Sequence, residues 1–195
     1  MNEPVRAPPA PGARARGRRM LLLLAAVVIA PVIASYSAYY LFPRGQRTNY
    51  GELLAIAPAL PLSGTRADGQ PFALAQLRGK WALIVNAPGG CDAACAQTLH
   101  ATRQARTIQG REMERVQRVW LMTDDAAPEP SLLAQHPDLL VARVTREALQ
   151  GLPSGADRIY LVDPLGNLVL AFPTDPDIRK VAKDIERLLR ASRIG

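Results

Sequence analysis

The two cysteines of the chain, Cys91 and Cys95, are the residues best suited to chemistry. Three residues separate them, a spacing that places both on one face of a helix, with Cβ atoms about 5–6 Å apart. The Cα separation that follows from this spacing lies within the range that a disulfide tolerates, so the bond can form with little backbone movement. Two thiolates can equally converge on one soft metal ion such as Cu(I). The spacing therefore predicts a thiol–disulfide site or a thiolate–metal site, and it leaves both open.

The reactivity of the pair depends on the elements that hold it. The apolar run Trp81 to Val85 predicts a buried strand that passes through Gly89-Gly90 into a helix from Cys91 to about Gly110. A helix N-terminus lowers the pKa of a thiol, whereas the carboxylate of Asp92 opposes that shift. A three-residue spacer also differs from the C-x-x-C of disulfide oxidoreductases. A purely structural cross-link is a further alternative, although so short a loop gains little stability from it.

Strands and helices alternate over residues 63–195, which predicts one α/β domain. A hairpin turning at Asp68-Gly69 precedes the first buried strand, and a second hairpin turns at Asp163-Pro164-Leu165-Gly166. The remaining predicted elements are strands at 116–123, 139–144, 158–162 and 167–172, a short helix at 131–135 and an amphipathic helix at 177–192. A βαβ unit followed by a ββα unit, with cysteines at the first helix, is the order of the thioredoxin superfamily.

The charge is concentrated at the N-terminus. Residues 1–19 hold five arginines and one acid, so +4 of the net +7 lies there, and the rest of the chain has no charge excess that would indicate nucleic-acid binding. Residues 20–42 carry no charge and are long enough to cross a bilayer. By the positive-inside rule the arginines place the N-terminus in the cytoplasm and the domain in the periplasm of a bacterium. The alternative is a cleaved signal peptide, with Ser35-Tyr36-Ser37 as the cleavage site.

Two flexible segments complete the predicted organisation. We expect residues 1–19 to be a disordered cytoplasmic tail, because its prolines and arginines cannot build a core. Residues 20–42 follow as the transmembrane helix. Residues 43–62 are then expected to form a periplasmic tether, which leads to the thioredoxin-like domain at 63–195.

Five segments together carry a family resemblance: Gly69 to Leu74, Leu77 to Ile84, Cys91-x-x-x-Cys95, Leu121 to Asp125 and Ile159 to Gly166. They resemble the Sco/SenC family of membrane-anchored, thioredoxin-like copper chaperones for cytochrome c oxidase. The resemblance covers roughly residues 60–192, and the cysteine spacing distinguishes it from peroxiredoxin-like relatives. It implies a three-layer thioredoxin-like domain of the Sco/peroxiredoxin type behind one N-terminal transmembrane helix.

One ligand of the family is missing. Sco proteins bind copper through two cysteines and a histidine in the loop before the strand that corresponds here to 158–162. That loop holds no histidine, and by its spacing from Tyr160, Gly155 stands in the place of the ligand. We expect His100 on the surface of the cysteine helix, His136 exposed in a loop, and Met122 in the core. The alternatives are that either histidine is a metal ligand or that Met122 supplies a soft sulfur ligand. The chain thus resembles a divergent branch of the family that lacks the loop histidine.

Other polar residues receive more ordinary interpretations. Pro153 lies far from Tyr160 for the cis-proline that oxidoreductases place against their active site. Asp124 and Asp125 end a strand near the cysteine edge, where acids usually cap the next segment. Five arginines on or after the cysteine helix predict a solvated surface, with a docking face for an acidic partner as the alternative. They are Arg103, Arg106, Arg111, Arg115 and Arg118.

The sequence therefore predicts a single-pass inner-membrane protein that assists cytochrome c oxidase assembly in the periplasm. Cys91 and Cys95 would bind Cu(I) or cycle between dithiol and disulfide, and an oxidase subunit or another assembly factor would be the partner. Two alternatives stay open. One is a general periplasmic thiol–disulfide oxidoreductase. The other is a non-catalytic scaffold that binds oxidase subunits.

Overall fold

The computed structural model describes residues 13–41, 49–58, 61–149, 152–153 and 158–192. These residues belong to two compact units, 1–47 and 48–195. In the first unit, helix α1 spans Ala13–Leu41 and contains Pro31. Its segment Gly17–Ala38 is long and apolar enough to cross a membrane, a property that signal sequences share. Because α1 begins at Ala13, the prediction of disorder is wrong for residues 13–19, and residues 1–12 lie outside the described part.

In the second unit, eight described strands form one sheet in the order β1-β8-β7-β4-β5-β6-β2-β3. Strands β4, β5 and β6 run parallel, and the other pairs are antiparallel. The strands are β1 (Glu52–Pro58), β2 (Ser63–Arg66), β3 (Pro71–Ala73), β4 (Trp81–Ala87), β5 (Val116–Met122), β6 (Leu139–Val144), β7 (Arg158–Val162) and β8 (Asn167–Pro173). The helices are α2 (Ala93–Thr107), α3 (Pro130–Ala134), α4 (Arg146–Leu149) and α5 (Ile178–Ala191).

The sheet is buried on both faces. On one face, Leu83 and Val85 of β4 belong to a core cluster with Leu99 of α2 and Ile185 of α5. On the other face, the alternate residues of β4 belong to a second cluster that includes residues of α4 and of the 3₁₀ turn Leu74–Leu77. Parallel strands covered on both faces need continuous apolar runs, which β4 supplies and which made this strand predictable.

The predicted strands and helices of the domain are confirmed, with boundaries that differ by at most three residues. Both hairpins are present, and each depends on a glycine with positive φ, +82° at Gly69 and +93° at Gly166. Glycine alone adopts that conformation without steric cost. The apolar stripe of α5 is buried, as its 3.6-residue period predicts.

The prediction of a flexible tether at 43–62 is wrong for residues 49–58. Strand β1 pairs with β8 at the edge of the sheet. The backbone N–H groups of Tyr50 and Gly51 both donate to Oδ2 of Asp184 in α5, at 2.7 and 2.9 Å. A long-range carboxylate acceptor leaves no local sequence signal, so the prolines near this segment suggested a tether. Residues 42–48, 59 and 60 lie outside the described part.

Candidate functional site: the Cys91–Cys95 disulfide

The structure joins the two predicted site residues. Cys91 and Cys95 form a disulfide with a Cα–Cα distance of 5.2 Å, within the range that the cross-link requires. Helix α2 begins at Ala93, two residues later than predicted, so Cys91 lies in the turn before the helix. The carboxylate of Asp92 is the N-cap and accepts a 2.9 Å hydrogen bond from the N–H of Cys95. Asp92 therefore has a structural role beside the pair.

The two sulfur-bearing residues differ in exposure. Cys95 faces the core and is 8% exposed, whereas Cys91 is partly exposed. A pocket of about 400 Å³ lies next to Cys95, between the end of β4, the first turns of α2 and the segment after β8. Asp92 and Asp175 both line it. The pocket therefore adjoins Cys95, whereas Cys91 does not line it.

The backbone at Cys91 is unusual. Its φ of +35° is the left-handed conformation, and Cys91 is the one non-glycine residue in the described ranges that has a positive φ. A residue with a Cβ adopts this conformation at a cost, and such residues are frequent at functional sites. The N–H of Cys91 donates to the carbonyl of Pro88 at 3.2 Å, which closes the turn between β4 and α2.

Asp124 also belongs to the site. Its Oδ1 accepts a 2.7 Å hydrogen bond from the N–H of Gly89, two residues before Cys91. A side chain at Gly89 would not fit, since an added Cβ would lie 2.0 Å from the carbonyl oxygen of Ala126. The sequence placed Asp124 near the cysteine edge but interpreted it as a cap of the next segment. The signal that could have identified it is its position just after β5, the parallel neighbour of the strand that leads to the cysteines.

The described residues supply two sulfur ligands for a metal and no cluster of three histidines, cysteines or acids. His100 is exposed on α2, as predicted, and Met122 is buried in the core, as predicted. Of the loop at 150–157, only Leu152 and Pro153 are described, so Gly155 lies outside the described part. Pro153 has a trans peptide bond, since no cis bond occurs among the described residues. Its carbonyl accepts a hydrogen bond from the hydroxyl of Tyr160.

The prediction that His136 is exposed is wrong. His136 is 4% exposed and precedes β6, so it lies at the edge of the sheet opposite the cysteines. Its Nδ1 lies 3.5 Å from Nη2 of Arg118. Burial, together with the nearby charge of Arg118, lowers the pKa of His136 to about 4. A copper site that includes both His136 and the cysteine pair is therefore incompatible with this fold.

The prediction that the arginines on and after the cysteine helix are solvated is wrong for Arg118. The side chain is fully buried, and its guanidinium donates to the carbonyl of Leu99, to the hydroxyl of Thr102 and to the carboxylate of Asp138. Burial lowers the pKa of Arg118, and the Asp138 carboxylate opposes that shift. Arg111 is exposed as predicted, and Arg103, Arg106 and Arg115 are partly exposed.

A cysteine pair at the start of a helix that follows the central strand of a mixed sheet defines the thioredoxin-like class. The family model described as "Transmembrane-like, thioredoxin-like, C-terminal domain" matches residues 81–192, more than half of the chain. The chain belongs to this family. No curated protein gives a significant match.

The similar solved structures include several Sco proteins. ScoI of Bradyrhizobium japonicum with copper bound is 19% identical, with a TM-score of 0.54 over 67% of this chain and 99% of that one. Yeast Sco1 is 21% identical, with a TM-score of 0.59 over 69% of this chain and 97% of that one. The thioredoxin domain of a Bacteroides vulgatus thiol-disulfide oxidoreductase is 17% identical, with a TM-score of 0.51 over 70% and 99%. These similarities confirm the predicted thioredoxin-like fold and its likeness to Sco/SenC proteins.

Proposed function

We propose that this chain is a membrane-anchored assembly factor for cytochrome c oxidase that acts by thiol–disulfide exchange through Cys91 and Cys95. The observation that carries the proposal is the disulfide between a partly exposed and a buried cysteine at the start of α2. The proposal also draws on the Sco-like fold. A reactive pair needs one accessible sulfur and one held in reserve, and the difference in exposure between Cys91 and Cys95 supports this division of roles.

The proposed reaction has two steps. A thiolate of the partner attacks Sγ of Cys91, the Cys91–Cys95 bond breaks, and Cys95 leaves as the thiolate. A second thiolate of the partner then attacks the partner sulfur that is bonded to Cys91. The partner's disulfide forms, and Cys91 leaves as a thiolate. Two electrons and two protons pass from the partner dithiol to this chain. The reverse sequence reduces a partner disulfide, which is the direction needed to open a disulfide at a copper site of the oxidase.

The proposed location follows from the first unit. Helix α1 would cross the bacterial inner membrane once, with the arginines at 14–19 on the cytoplasmic side. The second unit would then lie in the periplasm, where disulfides form and persist. The periplasmic side is also the compartment in which a disulfide at a copper site would require reduction to two thiols.

The test is to replace both cysteines with serine in the producing organism, at an unchanged level of the protein. The proposal predicts that assembled cytochrome c oxidase activity falls, while thiols do not accumulate in other periplasmic proteins. Full oxidase activity with both serines would refute the proposal and favour the non-catalytic scaffold. Accumulation of thiols throughout the periplasm would instead favour a general oxidoreductase.

A second candidate function is Cu(I) transfer, with copper as cargo. It is favoured by the similar solved structures of ScoI and yeast Sco1, which are described with copper bound. Once reduced, Cys91 and Cys95 could hold Cu(I) between two thiolates, which are the soft ligands that this ion prefers. The full chain in detergent would be titrated with Cu(I) against a competing chelator. Affinity no higher than that of the variant with both cysteines changed to serine would exclude this function.

A further inference from the structure

The turn that carries Cys91 is held from outside by the neighbouring strands. The N–H of Gly89 donates to Oδ1 of Asp124 at 2.7 Å, so the end of β5 holds the turn that follows β4. The segment after Asp124 also packs closely on the turn, since an added Cβ at Gly89 would lie 2.0 Å from the carbonyl oxygen of Ala126. Two contacts from one segment therefore fix the backbone two residues before Cys91.

The acceptor is itself fixed from the third parallel strand. Nε of Arg143, in β6, donates to the carbonyl oxygen of Asp124 at 3.0 Å, and its guanidinium lies 3.5 Å from the carboxylate of Asp125. The carboxyl ends of β4, β5 and β6 are thus linked through Gly89, Asp124 and Arg143. Asp124 occupies the middle of this chain of hydrogen bonds. Its carboxylate contacts the cysteine turn, whereas that of Asp125 contacts Arg143.

Because Cys91 has a left-handed conformation, the contacts that hold the turn at Gly89 affect how readily the disulfide closes. The positive φ of +35° is unfavourable for a residue that has a Cβ. In a flexible turn, that cost would be incurred each time the disulfide closes. When the turn is held by other contacts of the fold, Cys91 keeps this conformation in the reduced protein as well. The two thiols then stay close to the positions that they occupy in the disulfide.

We propose that Asp124 is a positioning residue that favours closure of the Cys91–Cys95 disulfide by holding the preceding turn through Gly89. This inference rests on the proposed function of the pair. Closure joins the two Sγ atoms and releases two electrons and two protons, which a partner disulfide takes up as it opens to a dithiol. Asp124 itself exchanges no electrons and contacts neither sulfur. It changes the equilibrium constant of the exchange.

The test uses the full chain in detergent micelles, equilibrated with mixtures of reduced and oxidised glutathione. We expect Asp124→Ala to lower the equilibrium constant for closure about tenfold, the effect of one hydrogen bond to a charged group. Tenfold corresponds to a reduction potential about 30 mV less negative. Asp124→Asn, which removes the charge and keeps an acceptor for Gly89, should lower the constant less than Asp124→Ala does, by about two- to fivefold, because a hydrogen bond to a neutral group is weaker. Asp125→Ala is the matched control, because it removes a neighbouring, exposed carboxylate and leaves both the Asp124–Gly89 hydrogen bond and the hydrogen bond from Arg143 to the carbonyl of Asp124 in place. It should stay within about twofold of the wild type.

A second variant perturbs the same turn from the other side. Gly89→Ala forces the turn away from Ala126 and should change the potential in the same direction as Asp124→Ala. Equal potentials for Asp124→Ala and Asp125→Ala would overturn the inference, even if the first variant melted at a lower temperature, because the role would then be merely structural. A more negative potential in Asp124→Ala would overturn it as well. A wild-type disulfide that no glutathione mixture reduces would refute the proposed function itself.

Discussion

Acidification should destabilise this protein through His136. The imidazole is buried, and its pKa is lowered to about 4 by desolvation and by the charges of Arg118, Arg103 and His100, against the opposing effect of Asp138. An unfolded histidine has a pKa of about 6.5. Between these two values the unfolded chain binds a proton that the folded chain does not bind. Stability from neutral His136 is therefore complete above about pH 6.5 and is lost as the pH falls toward 4.

The size of the effect follows from the two pKa values. Between pH 7 and pH 5 the free energy of unfolding should fall by about 2 kcal/mol on account of this residue. Most carboxylates titrate below that interval, so they add little to the change. The glutamine variant His136→Gln has no titrating group at this position. It should therefore lose about 2 kcal/mol less than the wild type over the same interval.

Urea unfolding of the full chain in detergent measures the change. Trp81 and Trp120 are 5% and 0% exposed, so their fluorescence reports the loss of the core. The free energy of unfolding would be extrapolated to zero urea at pH 7, 6 and 5 for both proteins. Equal pH dependence in wild type and His136→Gln would refute the assignment of a buried, neutral imidazole. Greater stability of the wild type at pH 5 than at pH 7 would refute it also.

Further predictions concern burial and hydrogen bonding. Asp138→Ala leaves the charge of Arg118 buried without its partner and should lower the free energy of unfolding by about 3 kcal/mol. Adding Arg118→Met to this variant should recover part of that loss in urea unfolding. No recovery would contradict the pairing of Arg118 with Asp138. Asp184→Ala removes the acceptor of the Tyr50 and Gly51 amides. It should lower the free energy of unfolding by about 2 kcal/mol and accelerate hydrogen exchange in β1. Unchanged exchange in β1 would contradict the role assigned to Asp184. The thiol that remains in the Cys95→Ser variant is that of Cys91, which is partly exposed, whereas the thiol that remains in Cys91→Ser is that of Cys95, which is 8% exposed. The Cys91 thiol should therefore react with a maleimide at least about tenfold faster than the Cys95 thiol. Equal rates would contradict the assigned attack on Cys91.

Much of the fold was predictable because its signals are local. The apolar runs at 81–85 and 116–122, the turn residues Asp68-Gly69 and Asp163 to Gly166, and the stripe of α5 each specify an element through a few neighbouring residues. The cysteine pair was predictable for the same reason. A sequence separation of four is enough to bring the two sulfurs together, and the structure confirms that they form a disulfide.

The failures of prediction involve partners that are distant in sequence. His136 is buried beside Arg118, which precedes it by 18 residues. The backbone just before β1 donates to Asp184, more than 130 residues away from Gly51. The role of Asp124 depends on the parallel pairing of β4 with β5, which brings it to Gly89 across 35 residues. A buried charge or a long-range acceptor leaves no periodic pattern, so sequence reasoning assigned these residues to surfaces, caps and linkers.

The reduction potential of the Cys91–Cys95 pair is the most direct test of the central claim. The full chain in detergent would be equilibrated with glutathione mixtures, and the fraction of disulfide would be measured by alkylation and mass. Thiol–disulfide exchange predicts a value between about −270 and −120 mV, the range of dithiols that exchange with partners. A value below about −300 mV, typical of structural disulfides, would show that the pair only cross-links the start of α2 and would contradict the proposed function.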